Sequence, residues 1–215
     1  MGKLAVISVK KTEPRSRQGG FTAIELVIAA GVFSIVLIVA LSGFLAIGRM
    51  FYKGVTISNT QNVAVGLMNS VTTDIQNATS FGGSQAAGYY CFGGIRYSFK
   101  EGTKVSGSSY GVYRDAMVGA NACSPPCTSL GNPSGCAPLS SPKEFLGTNM
   151  RISKFSVVPK VGTLYQVDLT VTYGDDSALI APASQSPRCN GGQAGTQYCA
   201  ISNLSNIVSV KDYNI

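Results

Sequence analysis

The 215-residue chain has no histidine and no tryptophan, and only 13% of its residues are charged. Histidine is the usual general base near neutral pH and the commonest metal ligand. Its absence removes the ordinary means of activating the many serine and threonine hydroxyls. The sequence also lacks a glycine-rich phosphate loop and a helical pair of metal ligands. These absences argue against an enzyme and indicate neither a cofactor nor a metal site.

Acidic residues are few, ten against seventeen basic ones, and the resulting net charge of +7 is unevenly distributed. Residues 1–20 hold five bases and one acid, a balance of +4. Residues 21–215 keep twelve bases and nine acids, a balance of +3. Such a weak excess without clustered Lys and Arg gives little support for nucleic-acid binding.

Long stretches that are both uncharged and strongly apolar are confined to one place, Leu26–Gly48, which is 23 residues long. At about 1.5 Å per residue it reaches roughly 35 Å as a helix, enough for a hydrocarbon core of about 30 Å. Residues 21–48 are therefore predicted to be a transmembrane helix. The five bases before it outweigh Arg49 and Lys53 after it, which places residues 1–20 in the cytoplasm as a leader.

An amphipathic pattern follows the apolar run, with apolar residues at three- and four-residue steps. We predict one long helix from about Phe21 to about Thr79, in which residues 49–80 are the amphipathic continuation. A break between Gly54 and Asn59, giving a membrane helix, a linker and a separate surface helix, is the open alternative. The apolar stripe comprises Ala64, Leu67, Met68, Val71, Ile75 and Ala78.

Residues 81–215 are rich in turn residues and in segments where apolar and polar residues alternate, which is typical of short strands. An antiparallel sheet covering the amphipathic half of the helix would bury both apolar surfaces, so the predicted fold class is α+β. Residues 115–150 are expected to be irregular. The predicted strands are Phe92–Lys100, Ser109–Arg114, Arg151–Val158, Leu164–Tyr173 and Leu204–Asp212, with a hairpin joining the third and fourth.

Six cysteines lie beyond the apolar run, and an even number suits three disulfides in an oxidising compartment. A zinc site on the spacing Cys123-x3-Cys127-x8-Cys136 is possible by ligand type, but export and the lack of histidine argue against it. The cysteines are Cys91, Cys123, Cys127, Cys136, Cys189 and Cys199.

The junction before the apolar run combines three chemical features. Gly20 lacks a side chain, so a protease can approach its peptide bond closely. Cleavage there would free an amine on Phe21. Glu25 follows one helical turn later in apolar surroundings, where an unpaired carboxylate is costly and a salt bridge offsets much of the cost. That partner could be the chain's own Phe21 amine or a neighbour's.

Gly20, Phe21, Thr22 and Glu25, followed by the apolar run, resemble the prepilin signal of type IV pilins and type II secretion pseudopilins. The resemblance implies that a prepilin peptidase cuts between Gly20 and Phe21 and methylates the Phe21 amine, and that Glu25 docks subunits. It further implies a pilin-like fold, a long N-terminal helix packed on a C-terminal antiparallel sheet. The expected partners are other pilin subunits, the peptidase, the pilus assembly platform and the inner membrane.

The same resemblance implies a disulfide between Cys189 and Cys199, which would close a loop before the last strand. The other four cysteines allow three pairings, and the sequence does not choose among them. In this interpretation residues 81–215 are a disulfide-containing head, exported while the chain spans the inner membrane once and then displayed on an extracellular or periplasmic filament.

Two departures from many major pilins favour a minor pilin. No proline lies between Phe21 and Tyr52, and residues 115–150 form a long cysteine-rich insert. A type II secretion pseudopilin is the close alternative. A filament-tip binding module, serving adhesion or DNA uptake, is an alternative of another class.

Overall fold

The computed structural model describes residues 20–106, 111–117, 123–127, 136, 138–180, 187–190 and 198–211. By its internal contacts the chain divides into two compact units, Met1–Ala46 and Ile47–Ile215. The first unit contains the apolar start of a helix. The second contains the remainder of that helix and all of the strands among the described residues.

One unbroken helix, α1, covers Ala23–Gln76, 54 residues. The prediction of a single long helix is confirmed, and the alternative with a break between Gly54 and Asn59 is wrong. Glycine weakens a helix by only about 1 kcal/mol relative to alanine, so isolated glycines such as Gly54 do not interrupt it. Nothing packs closely against Gly54, so its small size meets no steric need.

Burial along α1 changes abruptly. All residues from 23 to 46 are exposed, and this part is long and apolar enough to span a membrane by length and composition. In the second unit the buried helical positions recur every three or four residues. They include all of the predicted stripe except Ala78, which follows the end of the helix and is only partly buried, and they add Thr60. They are Thr60, Ala64, Leu67, Met68, Val71 and Ile75.

The described strands of the second unit form two larger sheets and a small pair, where the sequence predicted a single antiparallel sheet. The first sheet has the order β1-β2-β3-β4-β5, and the second has the order β10-β7-β6. The strands are β1 Phe81–Ser84, β2 Tyr89–Phe92, β3 Ile95–Phe99, β4 Val112–Ala116, β5 Lys143–Glu144, β6 Met150–Pro159, β7 Leu164–Tyr173, β8 Leu179–Ile180, β9 Arg188–Cys189 and β10 Ala200–Ser209.

The second sheet follows the sequence most closely. β7 has the predicted bounds, and β6 pairs with it antiparallel through the predicted hairpin. β10 begins at Ala200, four residues before the predicted Leu204, because Ala200 pairs with Tyr173 at the far end of β7.

The first sheet differs more from the prediction. The predicted strand Phe92–Lys100 contains β3, but Phe92 is the last residue of β2, because Gly93 adopts a φ of 59° and allows a tight turn between the two strands. The predicted Ser109–Arg114 overlaps β4, with residues 109 and 110 outside the described part. Residues 115–150 are not wholly irregular, since β5 pairs with β4 there.

Both larger sheets and the second half of α1 share one hydrophobic core. Phe155 of β6 joins the two sheets, because its ring lies 4.9 Å from Phe99 and 5.4 Å from Tyr90, centroid to centroid. Fully burying one such side chain contributes about 1.5–3 kcal/mol. The observed architecture is thus a long N-terminal helix packed on antiparallel sheets, an α+β fold.

Candidate functional site

The start of α1 is closed by a reciprocal cap. The backbone N–H and the hydroxyl of Thr22 both donate to Glu25 Oε2, each at 2.8 Å. The Glu25 N–H donates back to Thr22 Oγ1 at 3.4 Å. This capping box satisfies helix donors that would otherwise lack partners. The pattern Thr-x-x-Glu before an apolar run signals it in the sequence, although our interpretation had assigned Glu25 to docking alone.

The cap leaves one carboxylate oxygen of Glu25 free to accept another hydrogen bond or to pair with a cation. Both donors go to Oε2, so Glu25 Oε1 accepts no hydrogen bond from any described residue. Phe21 precedes the cap and is 87% exposed. Gly20 lies in an open position, where even an added Cβ would touch nothing. The structure therefore brings Gly20, Phe21 and Glu25 together within about one turn, with the Gly20–Phe21 peptide bond accessible.

The helix surface beyond this cap is apolar on every side. Exposed hydrophobic side chains follow one another from Ile24 to Ile47, and none in the first unit is covered. Patches this large mark a membrane or protein interaction surface. The arrangement can anchor the chain in lipid or pack against similar helices.

In the second unit all six cysteines form disulfides. Cys189 bonds to Cys199, the pair that the resemblance implied. The tertiary structure decides the other two, Cys91 with Cys123 and Cys127 with Cys136. Because all six sulfur atoms are in disulfide bonds, Cys123, Cys127 and Cys136 have no free thiolate to ligate zinc.

A buried arginine organises the cysteine-rich segment. Arg96 of β3 donates to both carboxylate oxygens of Asp115, at 3.1 and 2.7 Å, and the pair is fully buried. The same guanidinium donates to the carbonyl oxygens of Ser124, Pro125 and Pro138. Arg96 therefore ties the irregular segment to the sheet.

Sequence reasoning missed this role of Arg96. The alternation in β3 placed Arg96 and Ser98 on a polar face, yet both are buried. The segment carrying the prolines covers that face, and its carbonyl groups replace water. No local pattern indicates the contact, because the partners lie 28 to 42 residues away.

A second polar cluster joins the helix to the first sheet. Arg114 of β4 contacts both oxygens of Asp74, at 2.8 and 3.0 Å, and the Tyr97 hydroxyl donates to Asp74 Oδ2 at 2.5 Å. Burial, together with the Asp74 contact, raises the pKa of Tyr97 well above its usual range. The hydrogen bond to Asp74 raises the pKa of Arg114.

A polar cavity of about 310 Å³ opens beside this cluster. Its lining mixes amide, hydroxyl and cationic groups with one carboxylate and one aromatic ring, and no catalytic pair of nucleophile and base is present among these residues. The lining residues are Asn69, Ser70, Thr73, Asp74, Arg114, Lys143 and Phe145.

Comparison of the chain with protein-family models, with curated proteins and with solved structures finds no match in any of the three. Within the described residues, no group of three or more acidic or cysteine side chains is arranged to hold a metal ion.

Proposed function

We propose that the chain is a minor prepilin, a structural subunit of a type IV pilus. It is cleaved after Gly20, N-methylated on Phe21 and assembled through its N-terminal helix. One observation carries the proposal. An accessible Gly20–Phe21 bond and a carboxylate with one free oxygen lie within a turn of each other, at the start of an uncovered apolar helix.

The chemistry of assembly follows from that juxtaposition. Glu25 Oε2 is held by Thr22, which orients the carboxylate and leaves Oε1 for the Phe21 amine of a neighbouring subunit. In an apolar filament core this pairing removes much of the cost of two buried charges. It also defines the axial register, because a helix shifted by one turn leaves both charges unpaired.

The remaining parts take roles consistent with this assignment. The leader lies in the cytoplasm, the apolar half of α1 stores the subunit in the inner membrane, and the head is exported. Three disulfides suit an oxidising compartment. After extraction the apolar helices form the filament core and the heads its outer surface.

The decisive experiment compares Glu25→Gln with Thr22→Val in cells that supply a prepilin peptidase and an assembly machinery. Glu25→Gln keeps the oxygen acceptor of the cap but removes the charge. We expect it to be inserted and cleaved, yet at least tenfold depleted from sheared filaments. Thr22→Val loses the capping hydroxyl and keeps the carboxylate, so its incorporation should fall no more than about threefold.

Normal incorporation of Glu25→Gln would contradict the docking role. The mass of the assembled protein provides a second criterion, since it should correspond to a chain beginning at methylated Phe21. An intact leader on filament protein would refute the processing. A type II secretion pseudopilin would use the same chemistry, so the subunits that co-purify with the filament identify which machinery it belongs to.

A further inference from the structure

The segment Arg49–Val55 of α1, hereafter the collar, is exposed at every position. Arg49 is the first charge after the 23 uncharged residues. Side-chain burial within the helix begins only at Thr56 with partial cover and at Thr60 in full. The collar therefore occupies about 10 Å of helix between the apolar run and the packed part of the second unit.

The collar carries two cations without carboxylate partners. Arg49 and Lys53 are four residues apart, so they lie on one side of the helix, one turn above each other. None of the ion pairs among the described residues involves either of them. Two unneutralised cations one turn apart fit anionic groups of a ligand outside the chain.

Aromatic side chains occupy the same level of the helix. Phe51 and Tyr52 are 67% and 56% exposed, and their rings lie 6.1 Å apart. The Tyr52 ring also lies 6.2 Å from that of Tyr198, which precedes Cys199 and is itself half exposed. Tyrosines at this position are typical of a membrane–water interface, where an apolar ring and a polar tip are both accommodated.

The distribution of basic and aromatic side chains around the helix distinguishes a lipid ligand from a protein partner. At about 100° per residue, the basic pair and Phe51 lie on opposite sides of α1. A docked protein covers one side of a helix, whereas a lipid headgroup layer surrounds it. The headgroup layer of each leaflet is about 5–8 Å deep, which is close to the length of the collar.

We propose that the collar is a phospholipid-binding site, in which Arg49 and Lys53 bind the phosphates of anionic lipids on the exported side of the membrane. Phe51, Tyr52 and Tyr198 lie among the headgroups. The site holds the subunit at a defined depth before assembly, and these contacts must break when the subunit is extracted. The inference rests on the membrane-anchoring part of the proposed function and does not depend on filament assembly.

The test is native mass spectrometry of the full chain, purified from membranes in non-ionic detergent. The protein is titrated with phosphatidylglycerol and, separately, with phosphatidylcholine of the same acyl chains. Arg49→Gln/Lys53→Gln is compared with Lys100→Gln/Lys160→Gln, which removes two other exposed cations that are also absent from the ion pairs of the described residues. The protein for this titration is expressed in cells without a prepilin peptidase, so every variant keeps the basic leader, which contributes equally.

We expect the collar variant to bind phosphatidylglycerol about thirtyfold more weakly, since each of the two cations near a membrane surface contributes about 1 kcal/mol. The control pair should bind like the wild type, and phosphatidylcholine should not distinguish the proteins. Arg49→Lys/Lys53→Arg keeps both charges and should bind normally. Equal phosphatidylglycerol binding by the collar and control variants would overturn the proposal, as would loss of binding in the charge-conserving variant. The mass of the mature N-terminus tests the prepilin proposal separately.

Discussion

Arg114 holds Asp74 through two nitrogen atoms, at 2.8 and 3.0 Å, and so links strand β4 to the last turns of α1. Tyr97 donates to the same carboxylate from β3. One acidic side chain of the helix therefore connects it to two neighbouring strands of the first sheet.

Asp74→Ala should destabilise the second unit by about 2 kcal/mol, because it leaves the largely buried Tyr97 hydroxyl and the Arg114 guanidinium without their acceptor. Chemical unfolding of the detergent-solubilised chain, followed by near-UV circular dichroism, measures the loss. The matched control is Asp175→Ala, whose carboxylate is mostly exposed and pairs with Lys104. The control should change the free energy of unfolding by less than about 1 kcal/mol. Equal effects would show that the Asp74 contacts do not hold the helix to the sheet.

Arg96→Met should cost about 3–5 kcal/mol, because Asp115 would be left as an unpaired buried charge. The double variant Arg96→Met/Asp115→Leu removes both charges and should recover much of that loss. The same unfolding measurement compares them, and a non-reducing peptide map follows the disulfides. We expect Arg96→Met to mispair Cys127 and Cys136 more often, since the carbonyl anchors of their segment are lost. A single variant as stable as the wild type would contradict the role of Arg96.

Stability should fall in acid through Asp168. Hydrogen bonds from Gln166 and Ser205, with a smaller contribution from Lys154, lower the pKa of Asp168 to about 2 in the folded chain. The unfolded value is near 3.8. A depressed folded pKa gives stability that is present above pH 3.8 and is lost as the pH falls towards 2. Because Asp168 is partly exposed, the contribution is about 1 kcal/mol.

Measuring the free energy of unfolding at several values between pH 5 and pH 2 tests this dependence. Asp168→Asn should flatten the slope between pH 4 and pH 2. An unchanged slope in Asp168→Asn would assign the acid sensitivity to other carboxylates.

Removing the Cys189–Cys199 bond with Cys189→Ser/Cys199→Ser should lower the free energy of unfolding by about 2.5 kcal/mol. This is the contribution expected when a disulfide that closes a loop of that size no longer restricts the unfolded chain. The start of β10 and its pairing with the end of β7 should loosen first, because Cys199 directly precedes Ala200. Hydrogen exchange at Ala200 and Ile201 measures the local effect, and Ile207, near the other end of the strand, serves as the internal reference. Uniform loosening along β10 would contradict a local role.

The sequence predicted the elements that depend on local periodicity. The three- and four-residue spacing of Leu67, Val71 and Ile75 specified the buried face of α1, because a helix repeats every 3.6 residues whatever packs against it. Strict alternation in Leu164–Tyr173 specified β7 in the same way. The uncharged run and the Gly20–Glu25 motif are also local, and they support both the membrane anchor and the proposed processing.

Tertiary structure alone decided the contacts between distant segments. The partners of Cys91, Cys123, Cys127 and Cys136 and the burial of Arg96 depend on how the proline-containing segment folds over β3, for which no short-range pattern exists. The alternation in β3 predicted that its polar face would be exposed to solvent. That prediction is wrong, because the proline-containing segment covers this face. Periodicity shows which residues can share a face, but only the packing of the whole chain determines what covers that face.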